Sequence, residues 1–359
     1  MAPSINPLMV AYILVIISGA AADVFVHSSA QEAEDDANLA LQVLATPGGR
    51  NQLFNQWKSS NGKSYTDGGE MGRAQQNFVN NMQLITTHNA NPNNDYWLEA
   101  NQFADLSAQE FASKYLTNII LPSVPSGNNG GGGGGNNRKL LRANTTTTTN
   151  TTTTTTTTTV QTTTNIDWRP SNIITPVKDQ GACGSCWSFA AVAATESAML
   201  LASGLTTATA TIDLSEQELV ECASVAYNSR FVSTGCAGGS TLDSYSFIYN
   251  YNITGESKYP YTAKNGTCNT AKFSSTPVFK SKTGPGYSVS AATETGVYNF
   301  LKTRPSTVYV DATTFHLYGG GIFPASSGSY VGVNHVVLLV GYQVKNSTAP
   351  AHWIAKNSW

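Results

Sequence analysis

The chain has 359 residues, room for one or two domains and a substantial core, yet only 12% of them are charged, about half the share in an average chain. A net charge of −2 leaves no basic footprint, so nucleic acid is not expected as a partner. Threonine, asparagine and glycine fill the place of the missing charge.

Residues 8–17 are almost continuously apolar, and Ala20, Ala21 and Ala22 precede Asp23. That is the layout of a secretory leader over residues 1–22, although residues 1–7 hold no Lys or Arg. The run is short for a bilayer span, so no stable membrane anchor is expected, and no later stretch reads as one. Residues 23–121 form an acidic, helical segment, in which eleven Asp and Glu against five Lys and Arg give −6. Leu53, Phe54 and Trp57 recur at helical spacing, as do Phe78, Val79, Met82, Ile85 and Thr86. Residues 91–95 read as a turn. Phe103, Leu106, Phe111 and Tyr115 follow, with Ser107 and Glu110 spaced as a capping box.

Residues 122–164 are Gly/Asn-rich and then nearly all threonine, a linker that cannot build a core. Asn144 and Asn150 open glycosylation sequons, as do Asn252, Asn265 and Asn346 further on. The basic island Arg138-Lys139-Leu140-Leu141-Arg142 lies open to a protease.

The texture of a compact domain begins at Asn165. Residues 190–201 are rich in helix formers, and Gly204 is placed to stop that helix. A second helix start is signalled at 213–220 and a third helix near 242–250, with cysteine-bearing loops between. Tyr259-Pro260-Tyr261 marks an extended segment. Residues 307–310, 331–340 and 353–356 read as strands. Helices first and strands later predict an α+β fold in two lobes.

All five cysteines lie beyond residue 180. The odd count leaves at least one thiol outside any intrachain pair, and two disulfides plus one nucleophile would satisfy it, although the count does not fix the connectivity. Cys186 falls at or near a helix N-terminus, where unpaired N–H groups and the positive dipole end favour a thiolate. Gln180, six residues earlier, offers a side-chain amide to the same place. A thiolate beside preorganised donors is the beginning of an acyl-transfer site.

Such a nucleophile needs a base. His27 and His88 precede the domain, while His316 and His352 lie in polar or loop-like surroundings. His335 stands inside an apolar strand, which taken alone reads as a buried structural histidine and beside Cys186 reads as its base. Asn357 can accept from the second ring N–H of that imidazole, and Trp359 can shield the bond from water. Cys183-x-x-Cys186 lacks the second ligand pair of a zinc site and the preceding strand of a redox motif, so neither metal nor cofactor is expected.

With these residues in view the chain resembles the papain-like, cathepsin L-type cysteine proteases over roughly residues 50–121 and 165–359. The motifs are Asp167-Trp168-Arg169, Thr175-Pro176-Val177-Lys178-Asp179-Gln180, Cys183-Gly184-Ser185-Cys186-Trp187, residues 214–222, residues 235–239, Tyr259-Pro260-Tyr261, Asn334-His335 and Lys356-Asn357-Ser358-Trp359; the one around Cys186 is the family's known local signature. The resemblance implies a two-lobe fold, with a helical left lobe and a β-barrel-like right lobe, behind a helical inhibitory propeptide. It implies that Cys186 is the nucleophile, His335 its acid/base partner and Asn357 the orienter. Gln180 and the Cys186 backbone N–H would form the oxyanion hole. Gly238, Gly239, Asn334 and Trp359 would bind substrate. The pairs Cys183–Cys236 and Cys222–Cys268 would be disulfides.

In the upstream segment Glu70, Phe78, Asn81, Ile85 and Asn89 match the family's propeptide helix pattern, with Arg73 one place early and Ala74 where arginine is expected. Asn101, Phe103 and Asp105 match its second motif, with Glu99 in place of glycine. Family members continue past Asn-Ser-Trp with a Gly-rich turn and closing strands, whereas this sequence ends at Trp359. The expectation is a monomeric cysteine endopeptidase zymogen of the secretory pathway, bound for lysosome, vacuole or medium. It would act on peptide or protein substrates and be inhibited by its own propeptide. The alternative is a truncated, catalytically inactive chain that binds or inhibits through its propeptide half.

Overall fold

Three capped helices open the computed structural model, which describes residues 29–117, 119, 164–203, 212–273, 294–324, 332–347 and 349–359. The leader at 1–22, the linker over 122–163 with its sequons and basic island, His27 and the helix stop at Gly204 lie outside the described residues. Helix α1 (Ala30–Leu44) starts on Ser29, α2 (Pro47–Ser60) on Thr46 with Pro47 in its first turn, and α3 (Gly68–Asn89) on Asp67; each cap side chain accepts a backbone N–H of the first turn. Phe54, Trp57 and Phe78 pack with ring centroids 5.2–6.1 Å apart. Met82 and Ile85 complete that core.

Buried amides of α3 then fix the chain that follows. Asn81 Nδ2 donates to the Ala104 and Leu106 carbonyls, both at 2.8 Å. Asn89 donates to the Leu98 carbonyl and accepts the Leu98 N–H. Asp105 accepts from Lys63 and Tyr65. Where the family pattern wants arginine, Ala74 is buried; Arg73 sits outside and meets Glu110 at 3.4 Å. Helix α4 (Ala108–Tyr115) begins with the expected capping box, Ser107 and Glu110 satisfying each other's backbone N–H.

The second half of the chain is built around α5 (Cys186–Ser203), whose first eight residues are all buried. By length and composition this helix could cross a membrane, a correction to the expectation that no later stretch reads as a span; here its apolar surface is the core of the domain. Helices α6 (Glu216–Cys222) and α7 (Thr241–Tyr251), capped by Ser215 and Ser240, pack beside it. Lys178 binds the preceding segment to this layer through Glu196, Asp213 and Glu216 at 2.7–3.1 Å. Disulfides join Cys183 to Cys236 and Cys222 to Cys268, closing separations of 53 and 46 residues, each worth about 3–4 kcal/mol through the unfolded chain.

Short helix α8 (Glu294–Leu301) leads into β3 (Ser306–Val310), which forms a four-stranded antiparallel sheet with the upstream β2 (Ile166–Asp167) and the later β5 (His335–Gln343) and β6 (His352–Lys356). Strand β5 is central. Leu338 and Leu339 pair with both β3 and β6, and Gly341 with both β2 and β6. Strands β3 and β2 therefore share one side of β5, with β6 on the other. The right lobe is thus an open sheet among the described residues rather than the barrel-like closure expected, since four strands are too few to wrap round. The strand expected from 331 starts at His335, because the Asn334 side chain is engaged by the loop before it.

A second sheet joins the two halves. Strand β1 (Tyr96–Leu98) pairs antiparallel with β4 (Tyr318–Gly321), more than 200 residues away in sequence.

Candidate active site

Cys186 is the first residue of α5, fully buried and free of any disulfide. Residues 180–185 reach it through tight turns, in which Gln180 and Gly181 are followed by Cys183 N–H bonding the Gly181 carbonyl and Ser185 N–H the Cys183 carbonyl. Gly184 is there for close approach. A Cβ on it would stand 2.6 Å from the Cys236 carbonyl and 2.9 Å from Thr117. Backbone N–H groups of Val336, Trp187 and Cys186 itself meet the sulfur and favour the thiolate, but burial outweighs them and pushes the thiol up to about 12.

His335 opens β5 one residue before Val336, the residue whose backbone N–H meets that sulfur. Its Nε2 lies 2.7 Å from Asn357 Oδ1. The Ser358 backbone N–H donates to the same Asn357 atom, which must therefore be the oxygen, so Nε2 carries the proton. Nδ1 is left as a buried lone pair with no hydrogen bond. Trp359 stacks on the ring at 4.5 Å. Burial pushes the imidazole down to about 4, partly opposed by the Asn357 contact. Thiol and imidazole are thus both neutral while the cleft is covered.

Gln180 is buried and held at both ends. Its Oε1 accepts from Ser358 Oγ at 2.6 Å and its Nε2 donates to the Cys183 carbonyl at 2.9 Å. Nε2 also reaches the Tyr115 carbonyl at 3.3 Å. An upstream carbonyl thus sits on the amide that sequence reasoning set aside for a substrate oxygen. The same upstream stretch continues past the thiol: Thr117 N–H donates to the Asn334 carbonyl at 3.0 Å, and Ile119 packs on the core cluster that contains Cys186. Phe103 and Phe111 meet Trp359 edge-on.

The remaining sequence candidates divide. Asn334 offers its carbonyl, while its side chain binds the loop over residues 311–313 through Ala312 N–H and Thr313 Oγ1. Gly239 faces inward: a Cβ there would stand 2.5 Å from the Trp187 ring, so packing requires this glycine as much as any ligand would. Gly238 adopts φ 122° and gives its carbonyl to Thr234. Ser358 was not singled out from the sequence, nor was His316, which is buried rather than in a polar loop. Only the neighbouring Asn357 hinted at the first, and only the apolar Phe315 and Leu317 at the second. Among the described residues no group of three or more His, Cys, Asp or Glu is gathered as a metal site.

Comparison with known proteins places this geometry in company. A family model described as papain family cysteine protease matches residues 162–359, and one described as cathepsin propeptide inhibitor domain matches residues 54–111. Fruit bromelain of Ananas comosus is 32% identical over 308 residues, covering 85% of this chain and 76% of its own. A cathepsin L-like proteinase of Fasciola hepatica is 31% identical over 326 residues, covering 89% and 88%. Among solved structures, procathepsin L 3 of the Tenebrio molitor larval midgut aligns with TM-score 0.63 and 31% identity over 86% of this chain and 89% of that one. A recombinant stem bromelain precursor aligns with TM-score 0.64 and 28% identity over 86% and 87%.

Proposed function

Since this chain belongs to the papain family of cysteine proteases and carries a cathepsin-type propeptide inhibitor domain, we propose that its endopeptidase chemistry is performed by Cys186, His335 and Asn357, with Gln180 at the oxyanion. The observation that carries this reading is the fixed tautomer of His335. With Nε2–H held on Asn357 at 2.7 Å, Nδ1 is the free acceptor for the thiol proton. Once the cleft opens to water, desolvation no longer penalises charge, and proton transfer from Cys186 to Nδ1 gives thiolate and imidazolium. The sulfur attacks the scissile carbonyl and forms the C–S bond. Negative charge on the oxygen is met by Gln180 Nε2 and the Cys186 N–H. The C–N bond breaks as Nδ1–H protonates the leaving amine. Neutral Nδ1 then takes a proton from water, whose oxygen displaces the thiolate and frees the acid. The backbone around Gly239 and the Asn334 carbonyl bind the extended substrate, a role supported by the Thr117 N–H already on that carbonyl.

The zymogen enters the secretory pathway through residues 1–22, toward lysosome, vacuole or medium, which suits two disulfides. It works as a monomer, its sequons carry glycans, and it cleaves itself after Arg142; N-terminal sequencing of the processed form should find Ala143, and no product there would count against that site.

The decisive comparison is between the wild-type chain and Cys186→Ala after acid processing. Wild type should take one thiol-reactive epoxide per chain and hydrolyse a peptide substrate. Cys186→Ala, processed in trans, should take none and lose about a thousandfold or more in kcat. Hydrolysis that survives in Cys186→Ala overturns the assignment, and a wild type that neither labels nor cleaves favours an inactive, binding role instead.

A further inference from the structure

Cys236 is held at three points. Its sulfur is joined to Cys183, its carbonyl accepts the Gly184 N–H at 2.9 Å, and its own N–H donates to Asn265 Oδ1 at 2.7 Å. The third bond comes from a segment that runs beside the turn leading to Cys186. Tyr261 Oη donates to the Gln180 carbonyl and meets Ser185 Oγ, both at 2.6 Å. A Cβ on Gly181 would stand 3.3 Å from Ala263 Cβ, and one on Gly235 would stand 2.2 Å from Asn265 Oδ1. The sequon Asn265-Gly266-Thr267 is thus joined to the residues that position Gln180 and Cys186. The cleft is one contact further on, since a Cβ on Gly184 would stand 2.9 Å from Thr117 Cβ.

The Asn265 amide is oriented by what it accepts. A backbone N–H meets only the oxygen, so Oδ1 faces Cys236. Nδ2 takes the other branch and makes no hydrogen bond among the described residues. Asn265 and Thr267 are both exposed. The sequon Asn252-Ile253-Thr254 is the contrast: Thr254 is 1% exposed, its N–H is held by Glu218 Oε2, and Asn252 Oδ1 is buried. An N-linked sugar is attached through Nδ2 and leaves the carbonyl oxygen an acceptor, so Asn265 can carry a glycan and keep its bond to Cys236.

We propose that Asn265 carries an N-linked glycan that filters substrates by size, admitting short or unfolded peptide segments to the cleft and excluding bulky folded proteins. The inference rests on the peptidase reading above and adds to it the sequon that bears on catalysis and the class of substrate that it disfavours. The root of the sugar is fixed, because Oδ1 is bonded to a backbone that a disulfide ties to Cys183. A freely swinging stem would sweep solvent, whereas a fixed one keeps its bulk beside residues 235–239, the loop whose Gly239 meets the substrate. Selectivity of this kind is repulsive: it adds no affinity for the small substrate and works against the large one.

The test uses the full chain made in a glycosylating eukaryotic host and then acid-processed, with a short fluorogenic peptide and a folded protein as the two substrates. Peptide mapping of the wild type should find a glycan on Asn265. Thr267→Ala destroys the sequon and leaves Asn265 in place, while Asn265→Asp removes the sugar and keeps an acceptor oxygen for Cys236. Both should raise kcat/KM for the folded protein about fivefold, through KM, and leave that for the short peptide within about twofold of wild type. Trimming the wild-type enzyme with an endoglycosidase should reproduce the gain with no change of sequence, and trimming Thr267→Ala should add nothing, which separates Asn265 from the other sequons. An unmodified Asn265 overturns the proposal. So does a trimmed wild type that gains on neither substrate or equally on both, whatever the folding of the variants. A wild type that is glycosylated at Asn265 and cleaves neither substrate fails the peptidase reading instead.

Discussion

At the scale of single residues, the site depends on side chains whose work is to hold others. Asn357 is read on one atom by His335 and by the Ser358 N–H, which is why the imidazole has a defined tautomer. Ser358 in turn fixes the Gln180 amide through its hydroxyl and accepts the Gln180 N–H on its carbonyl. Ser358→Ala removes one of the two bonds that orient Gln180, the proposed oxyanion donor, and leaves Cys186 untouched. In the processed enzyme kcat for a peptide should fall about tenfold while the rate of Cys186 labelling stays near wild type. A parallel fall in both would place Ser358 in the thiol's environment rather than the amide's. The side chains proposed for catalysis stood out in the sequence because each is an uncommon residue in an uncommon setting. Ser358 was not, since a serine beside a turn has no such mark and its partner is 178 residues away.

Among elements, what was legible was local. Cys186 starts a helix, Ser107 and Glu110 make a capping box, and the apolar spacing around Phe78 lies on one face of α3. What was not legible was the pairing of β1 with β4. Three glycines in a row carry no alternation that would mark a strand, and the space they leave is filled by an indole on a distant strand. Helix α3 shows how a polar residue can be central to such a segment. Asn81 is 7% exposed and its Nδ2 serves two buried carbonyls, those of Ala104 and Leu106. Asn81→Ala leaves both unpaired, at a cost of about 2–3 kcal/mol, and the loss falls on the propeptide. The unprocessed chain should therefore show a lower first melting transition and faster labelling, whereas the processed enzyme should melt unchanged. A single unaltered transition in the unprocessed chain would contradict this.

Taken whole, the molecule carries an acid response at the contact between its halves. His316 is 6% exposed, has neither ring nitrogen hydrogen-bonded, and packs 5.6 Å from Phe111 of α4. Burial alone pushes its imidazole down to about 4. The charged residues on the surrounding segments, Glu99, Asp105, Glu110, Lys114 and Asp311, add nothing to that shift. The docked state therefore keeps His316 neutral, while a released loop exposes it at an ordinary value near 6.5. Between those values the released state binds the extra proton, so docking is strongest above about pH 6.5 and weakens as pH falls toward 4. Below about 4 both states are protonated and the dependence ends. His316→Gln cannot take up that proton, and its processing half-time should change less between pH 6.5 and 4 than the wild-type half-time. An identical pH profile for the two would exclude His316 as the sensor.

The buried thiol at the head of α5 has a consequence beyond latency. Four of the five cysteines must oxidise into two specific pairs, in a sequence where Cys183 and Cys186 are close neighbours. Disulfide exchange is carried by thiolates, and in the covered cleft Cys186 holds its proton up to about pH 12. Tyr115, Thr117 and Ile119 thus help to shelter the one sulfur that must stay reduced while its neighbours cross-link. The covered form is in this sense a guardian of redox identity. Oxidised glutathione at pH 8 should cap Cys186 in the processed enzyme and leave the unprocessed chain unmodified, and equal capping of the two would deny the propeptide this protective part.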